Sequence, residues 1–521
     1  MPCALTQALT DISPQRLLGM RRGIEKESLR VDAQGRLATT PHPAALGSPL
    51  THPNITTDFA EAQVELVTGV HATPQDCRGE LVELHQTSLA AMGEERLWGY
   101  SMPCHLPDEA AIRLGQYGPS HIGQTKTIYR RGLANRYGRR MQTISGIHYN
   151  WSLPGLSDAD YFALIRNVRR QIPLLLLLFG ASPAVNACFV EGLEHGLAPV
   201  APGALGLPFA TSLRMGRLGY QSDAQAGIGA GYNHLGAYGE AIERALTQPY
   251  PPYARIGTVD ADGVWQQLTT SLLQIENEFY GVIRPKQPIR RGERPLHALR
   301  ERGVAYVELR SMDLDPFDPA GISEATMRVL DLFLLRCALN ASPPDTPQEI
   351  ACLARNQLRT AAQGRDPELL LEPTACEAGP WSLHEAAAVW WDGCLPLADR
   401  LDHLHGGAFY RDALAGALGR LAHADWLPSA RVLADLAARP ERALMGFGNA
   451  ISTQHRAGLL AQALPPERQA HWARLAADSD THREQIEAAQ TGTLANFLHA
   501  YLNPAGLHPE HTHGYNTRVN P

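Results

Sequence analysis

Four separated stretches of the chain alternate polar and apolar residues, a pattern typical of β-strands with one polar and one apolar face. In 23–30, the alternation places Glu25 and Glu27 on the same face. The other three stretches (58–68, 147–153 and 306–310) likewise pair Gln63 with Glu65, His148 with Asn150, and Glu308 with Arg310. The intervening apolar residues would face a core. The pattern therefore predicts a sheet with one acid-lined face.

Helical periodicity occurs in other parts of the chain. Apolar residues spaced three and four apart predict helices over 74–98, 158–182 and 321–340. The composition of 347–503, rich in Ala, Leu and Arg, predicts a helical region. The opening segment predicts a short helix that ends near Gly19.

Three further segments have different patterns. Alternation predicts strands over 264–284 and 304–313, whereas the Gly-, Pro- and Tyr-rich stretch 196–257 predicts long loops. The uncharged run 172–190 has the length of a membrane span, but Pro173 and the glycine and asparagine after it favour a buried helix followed by a turn.

The composition indicates a soluble protein, with 44% hydrophobic and 19% charged residues. A net charge of -7 argues against a general nucleic-acid binder. The run 126–140 is basic, which predicts either a solvated face or a patch for nucleotide phosphates. Eight cysteines without a CxxC pair, and no secretion signal, predict a cytoplasmic protein with reduced thiols. No membrane attachment and no obligate protein partner are predicted.

Carboxylates that lie close together on one face repel one another, so their convergence requires a compensating interaction. Two carboxylates about 4 Å apart repel by about 4 kcal/mol at an effective dielectric constant near 20. Such a group either takes up protons or binds cations. Oxygen ligands with one imidazole and no thiolate favour Mg²⁺ or Mn²⁺ over zinc. The predicted ligands are Glu25, Glu27, Asp58, Glu65, His148 and Glu308.

A second set of side chains offers hydroxyl, amide and guanidinium groups instead of carboxylates. Such groups suit the carboxylate and ammonium of a small zwitterion, although tyrosines at these spacings also occur in cores and lids. Arg310 would lie beside Glu308 and could stabilise a transferring phosphoryl group. The predicted substrate-binding residues are Tyr129, Gln142, Arg214, Tyr220, Tyr280 and Arg310.

Seven strings, in order along the chain, resemble the proteobacterial type of glutamate–cysteine ligase. They are 23–30, 55–66, 101–104, 141–150, 210–214, 274–280 and 307–313, and the resemblance is collinear from about residue 17 to 340. The segment after Trp151 is shorter than in some relatives, and the His-rich tail has no counterpart there.

The resemblance implies an α+β fold, with a glutamine-synthetase-like curved, largely antiparallel sheet that forms a funnel and has helices packed behind it. It implies a catalytic domain over 1–345, and the composition after it predicts a helical region packed on this domain over 346–503, followed by a flexible tail over 504–521. It also implies the first step of glutathione biosynthesis: ATP, L-glutamate and L-cysteine give γ-glutamylcysteine, with Mg²⁺ or Mn²⁺ as cofactor.

Individual roles follow from matching positions. The six acidic-face residues match the family's metal-coordinating shell. Glu308 and Arg310 are the expected catalytic residues, and Tyr129, Gln142, Tyr220 and Tyr280 match positions around the cysteine and acyl-phosphate sites. Two alternatives to a ligase remain: a two-metal ATP or phosphate hydrolase that uses the same acidic face, and a catalytically silent binding protein.

Overall fold

The largest sheet has seven antiparallel strands, in the order β2-β3-β1-β5-β10-β9, with β4 paired to the far end of β1. The computed structural model describes residues 9, 11–219, 223–290, 292–374, 377 and 379–509, without the side chains of residues 223 and 226. The strands of this sheet are β1 (Arg21–Val31), β2 (Ile55–Thr57), β3 (Gln63–Val67), β4 (Arg96–Leu97), β5 (Ile147–Ser152), β9 (Ile283–Lys286) and β10 (Tyr306–Met312).

Two small antiparallel sheets and a set of helices complete the fold. The small sheets are β6 (Ala184–Asn186), β7 (Ala198–Ala201) and β8 (Ala204–Gly206), and β11 (Leu370–Leu371) with β12 (Trp381–Ser382). Helices up to residue 339 are Pro14–Leu18, Pro74–Ala91, His121–Tyr137, Asp158–Phe179, Asp223–Ala226, Leu235–Thr247, Pro251–Ile256, Pro295–Arg302 and Glu324–Leu339. Those after it are Pro347–Gln363, Leu383–Asp392, Leu395–His405, Phe409–Ala422, Pro428–Ala437, Ala443–Leu460, Pro466–Ala489 and Leu494–Tyr501.

One face of the seven-stranded sheet is apolar and fully covered. Ile24, Tyr149 and Leu309 alternate with the acidic positions and are buried in one hydrophobic core. The helix Asp158–Phe179 packs against β9 and β10 on this side and contacts the helix Glu324–Leu339. Burial of this face forces the alternate residues of the same strands onto the opposite face. The prediction of mixed helices and antiparallel sheet is therefore confirmed.

Two of the predicted helices begin next to side chains that cap them. The hydroxyl of Thr73 accepts the backbone N–H of Asp76, and Ser157 forms a reciprocal capping box with Asp160. The first of these helices ends at Ala91, earlier than expected, because β4 pairs with β1 there. The apolar run from 172 is the buried end of a helix followed by β6, as predicted. None of the helices in the described part of the chain has both the length and the apolar character needed to cross a bilayer.

Two predictions of local structure were wrong. The segment 196–257 contains the helix Leu235–Thr247, whose Ala241, Ile242, Ala245 and Leu246 form a buried stripe between glycines and tyrosines. The segment 264–284 is mostly irregular up to β9, which begins only at Ile283. Polar side chains of this segment hydrogen-bond to loops instead of lying on a strand face. The side chain of Gln267, for example, donates to the main-chain carbonyls of Tyr253 and Gly257.

The chain from residue 347 to 501 is mostly helical, and several of these helices pack on the earlier ones. The helix Phe409–Ala422 contacts Glu324–Leu339 and shares its hydrophobic core. The division at residue 345 stays a prediction. Of the predicted tail, Pro504–Leu507 forms a 3₁₀ turn against the helices Leu235–Thr247 and Pro295–Arg302, and residues 510–521 lie outside the described residues.

A buried ion pair connects the sheet to the helices behind it. Arg22 Nη2 lies 3.0 Å from Asp331 Oδ2, and both side chains are almost completely buried. The hydroxyl of Tyr149 donates to Asp331 Oδ1 over 2.9 Å, and the hydroxyl of Tyr410 donates to Oδ2 over 3.2 Å. Asp331 thus connects β1, β5 and a C-terminal helix through one carboxylate.

Candidate active site

Strand register brings the predicted acidic residues together on the face opposite the core. In β1, Glu25 lies opposite His148 of β5, and Glu27 lies opposite Glu65 of β3. In β10, Glu308 lies opposite Asn150 of β5. Because all these pairings are antiparallel, the side chains at these positions point to one face.

His148 lies at the centre of the acidic residues. Its Nδ1 is 3.1 Å from Glu25 Oε2 and 3.8 Å from Glu308 Oε1, and its Nε2 is 3.7 Å from Glu27 Oε1. Burial, and then the nearby Arg310 guanidinium, lower the pKa of His148 below its ordinary value. The imidazole is therefore neutral near pH 7, which is the form that binds a metal.

The remaining two predicted ligands, Asp58 and Glu65, lie beside β1 on its β3 edge, away from β5. Glu25, Glu65 and His148 each offer a ligand atom, and these three atoms lie within 4.8 Å of one another. The main-chain carbonyl of Asp58 accepts hydrogen bonds from Tyr117 and Arg130, which hold this residue beside Glu65. All six residues predicted as metal ligands therefore occupy one connected region.

Burial and neighbouring carboxylates dominate the electrostatics of Glu27 and Glu65. Burial, and then the charge of Asp58, raise the pKa of Glu27 to about 8. The same two causes, followed by Glu25 and Glu27, raise the pKa of Glu65 well above its usual range. Such shifts are expected where carboxylates converge away from water and the nearby guanidinium groups offset only part of their repulsion.

Glu308 has the opposite electrostatic environment. Lys286 Nζ lies 3.0 Å from its Oε1, and Arg310 Nη1 lies 3.2 Å from its Oε2. Burial acts to raise the pKa of Glu308, but Lys286, Arg310 and His148 outweigh it and hold the pKa well below the usual range. Lys286 is not among the site residues predicted from the sequence. The spacing of Arg284 and Lys286 in β9, which places both on one strand face, was the available signal.

The donor set fits a hard divalent cation. It consists of carboxylate oxygens and one imidazole, with no thiolate among the converging side chains. Within the described part of the chain, the buried Nε2 of His148 has no hydrogen-bond partner and so remains available as a ligand atom. Oxygen-rich sites with one imidazole suit Mg²⁺ or Mn²⁺.

The second predicted cluster adjoins the acidic face at Arg310. The amide of Gln142 donates to the Tyr280 hydroxyl over 2.6 Å, and Arg214 Nη2 donates to the Arg310 carbonyl over 2.9 Å. Burial, then Glu278 and Tyr280, raise the pKa of Tyr129 well above its usual value, so Tyr129 is a neutral donor. The predicted Tyr220 lies outside the described residues.

A cavity of about 550 Å³ opens beside this cluster. Arg214, Tyr280 and Arg310 line one side of it, and Ile350 and Gln357 of the helix Pro347–Gln363 line another. The cavity is therefore lined by guanidinium, hydroxyl and amide groups together with apolar side chains, as is usual for sites that bind small polar molecules.

Comparison with known proteins identifies the family. A family model described as glutamate-cysteine ligase matches residues 6–360, about two thirds of the chain. The chain belongs to the glutamate–cysteine ligase family.

Curated members of the glutamate–cysteine ligase family match this chain over nearly its whole length. A glutamate–cysteine ligase of Saccharophagus degradans is 42% identical over 504 residues, which cover 93% of this chain and 94% of that protein. One of Pseudomonas fluorescens is 44% identical over 497 residues, covering 92% of each. Every predicted site residue, from Glu25 to Arg310, lies inside the range matched by the family model.

The fold agrees with that of a solved family member. The crystal structure of glutamate–cysteine ligase from Francisella tularensis in complex with AMP superposes with a TM-score of 0.87 at 33% sequence identity. The match covers 93% of this chain and 97% of that one, so it includes the sheet and the helices after residue 346.

Proposed function

We propose that this protein joins L-cysteine to the γ-carboxylate of L-glutamate at the expense of ATP and gives γ-glutamylcysteine, the first step of glutathione biosynthesis. The convergence of the acidic side chains around His148 carries this proposal, because it provides the ligand set that a nucleotide-dependent ligase needs. Relatives named glutamate–cysteine ligase, and a solved relative in complex with AMP, support it.

The acidic face would hold two or three magnesium ions through Glu25, Glu27, Asp58, Glu65, His148 and Glu308. Bound Mg²⁺ would neutralise charge on the ATP phosphates as the γ-phosphoryl group is transferred. Mn²⁺ has similar ligand preferences and is the alternative cofactor. The raised pKa values of Glu27 and Glu65 support this assignment, since a cation would replace the protons that burial now favours.

Arg310 and Glu308 would act at the reacting group. A carboxylate is a poor electrophile, so the γ-carboxylate of glutamate first attacks the γ-phosphorus of ATP and gives γ-glutamyl phosphate and ADP. The amine of cysteine then attacks the acyl carbon and phosphate leaves. Arg310 contacts both Glu308 and His148, which supports a role for its guanidinium in stabilising the negative charge of the transferred phosphoryl group.

The cavity beside Arg310 would bind the two amino acids. Arg214 and Tyr280 line it, and Gln142 donates to the Tyr280 hydroxyl, so carboxylate and ammonium groups would find partners on one wall. Tyr129 is expected to contribute a hydroxyl at the same end. Tyr220 belongs to this set by sequence and stays a prediction.

The remaining assignments concern context. We infer that the seven-stranded sheet is the wall of a glutamine-synthetase-like funnel, and that the protein works in the cytoplasm. Its partners would be small molecules, with no nucleic acid, membrane or obligate protein partner. The helical region from 346 to 503 would support the cavity, since Ile350 and Gln357 line it.

One coupled assay tests the proposal. ADP formation is measured with glutamate alone, with cysteine alone and with both, each with ATP and Mg²⁺. A ligase requires both amino acids for full rate, whereas a two-metal phosphohydrolase releases phosphate from ATP without them. The comparisons do not favour the phosphohydrolase, because the relatives are ligases by name. Full ADP formation without either amino acid would refute the proposed function.

A further inference from the structure

Lysine is rare in this chain, and its few positions are not scattered. Only three of the 46 basic residues are lysines: Lys26, Lys126 and Lys286. All three lie around the acidic sheet. Lys26 lies between Glu25 and Glu27 in β1, with its ammonium on the opposite face, 2.7 Å from the Nε2 of a buried histidine.

The other two lysines lie at opposite sides of the acidic face. The ammonium of Lys126 lies 5.0 Å from the centre of the Tyr117 ring and interacts electrostatically with Glu65 and Asp58. Lys286 forms an ion pair with Glu308. Arginine supplies most of the other ion pairs in the described part of the chain, and histidine supplies the rest. Because an ammonium is a compact point charge with rotatable donors, whereas a guanidinium is a rigid planar fork, this placement indicates positions that need an ammonium.

Of the three lysines, Lys286 is the one whose ammonium can most easily leave its ion-pair partner for another anion. It ends the edge strand β9, and its side chain is 26% exposed, whereas Glu308 is only 1% exposed. The guanidinium of the neighbouring Arg284 instead stabilises the fold, since it donates hydrogen bonds to the main-chain carbonyls of Asn277 and Phe279. A lysine at the end of a strand can swing its ammonium away from Glu308 without moving the backbone.

Lys286 also lies away from the cavity. In the pairing of β9 with β10, Lys286 is opposite Tyr306, at the start of β10. The cavity is lined by Val282 and Arg310, at the other end of the same two strands. An anion that contacts Lys286 therefore approaches the acidic face from the end opposite to the proposed amino-acid cavity.

We propose that Lys286 binds a phosphate group of the nucleotide, and that Glu308 holds its ammonium in an ion pair until the nucleotide binds. This inference rests on the proposed function. In the protein without ligands, the ammonium neutralises Glu308. Once Glu308 ligates a divalent cation, the ion pair is released and the ammonium donates to a phosphate oxygen. Glu308 thus exchanges one cation for another, and Lys286 exchanges one oxyanion for another.

The exchange predicts two effects of opposite sign for Lys286→Met. Mn²⁺ should bind the nucleotide-free variant about tenfold more tightly, as followed by electron paramagnetic resonance, because one of the two cationic side chains paired with Glu308 is gone. MgADP should bind about 10- to 100-fold more weakly by calorimetry, because one charge-assisted hydrogen bond to phosphate is lost. Lys286→Arg, which keeps the positive charge, should recover part of the ADP affinity.

Arg290→Met is the matched control. Arg290 lies four residues further on, is largely exposed and pairs with Glu301, so this change removes one positive charge of the same region without touching the acidic face. Its affinities for Mn²⁺ and MgADP should equal those of the wild type. Inorganic phosphate is titrated in parallel. A loss of phosphate affinity without a loss of ADP affinity would place the ligand elsewhere than on the nucleotide and overturn the assignment.

Two other results would also overturn the inference. Unchanged MgADP affinity in Lys286→Met would show that the ammonium does not contact the nucleotide. Weaker binding of both Mn²⁺ and MgADP would show that Lys286 only maintains the structure. Failure of the proposed function is a separate result, because it appears as glutamate- and cysteine-independent ADP formation by the wild type, whereas the binding experiments require no turnover.

Discussion

Replacing Glu27 by glutamine tests the electrostatics of the acidic face. Burial and Asp58 raise the pKa of Glu27 from 4.5 to about 8 in the folded protein. Between these two pH values the folded state keeps a proton that the unfolded state has released. The contribution of Glu27 to the stability of the metal-free protein is therefore fully present below pH 4.5 and is lost as the pH rises to about 8.

The size of this effect follows from the pKa difference. At about 1.4 kcal/mol per pKa unit, the rise costs about 3 kcal/mol at pH 7 and about 5 kcal/mol above pH 8, relative to acidic pH. Glutamine has the same shape and no charge. Its oxygen can accept the backbone N–H of Gly146, which Glu27 accepts over 2.9 Å, and its NH₂ group would point toward His148 Nε2. The variant should escape most of the pH-dependent loss.

Thermal unfolding in EDTA at pH 6 and pH 8.5 measures this difference. We expect the Tm of the wild type to fall between these pH values and that of Glu27→Gln to fall less, so that the variant is the more stable protein at pH 8.5. Glu368→Gln, at an exposed position, should behave as the wild type. Mg²⁺ should stabilise the wild type at pH 8.5 more than Glu27→Gln, which should also lack most ligase activity. A Glu27→Gln variant no more stable than the wild type at pH 8.5 in EDTA would refute the reasoning.

Three further predictions concern catalysis, specificity and stability. Glu308→Gln should lower ligase turnover at least 100-fold with an unchanged circular dichroism spectrum, because it removes a proposed metal ligand and an ion-pair partner of Arg310; near-wild-type turnover would remove Glu308 from the proposed metal shell. The cysteine analogue 2-aminobutyrate should be a poorer substrate in the coupled assay, because an apolar pocket discriminates small side chains by only about 1–3 kcal/mol; no turnover at all would reveal a contact specific for the thiol. Asp331→Asn should lower the free energy of unfolding by about 3–5 kcal/mol, seen as a lower Tm, because it leaves the buried Arg22 without its counter-charge; Asp399→Asn, which breaks an exposed pair, is the control and should change little.

The acidic face could be predicted from sequence because strand periodicity fixes it. A residue two positions along a strand returns to the same face, so Glu25 with Glu27 and Glu308 with Arg310 were placed correctly without knowing the fold. The order of the strands was not predictable from periodicity. The convergence on His148 depends on β1 and β10 flanking β5, which only the three-dimensional structure shows.

The charge compensation was not foreseen, for a related reason. Lys286 lies far in sequence from Asp58 and Glu65. In β9 it is two positions beyond Arg284, the residue that lies opposite Glu308, so the ion pair between Lys286 and Glu308 depends on the register of β9 with β10. Local sequence patterns also gave a wrong prediction where a polar side chain hydrogen-bonds to the main chain of a loop. Gln267 lies in a segment whose pattern predicts a strand, yet its amide closes a loop.

The scarcity of lysine has a practical consequence for handling the protein. Amine-directed dyes, cross-linkers and coupling resins find, besides the terminal amine, only three ammonium side chains, and one of them touches Glu308. Labelling at Lys286 would therefore disable the enzyme instead of merely marking it. Attachment through an engineered surface thiol or a terminal tag would spare the site.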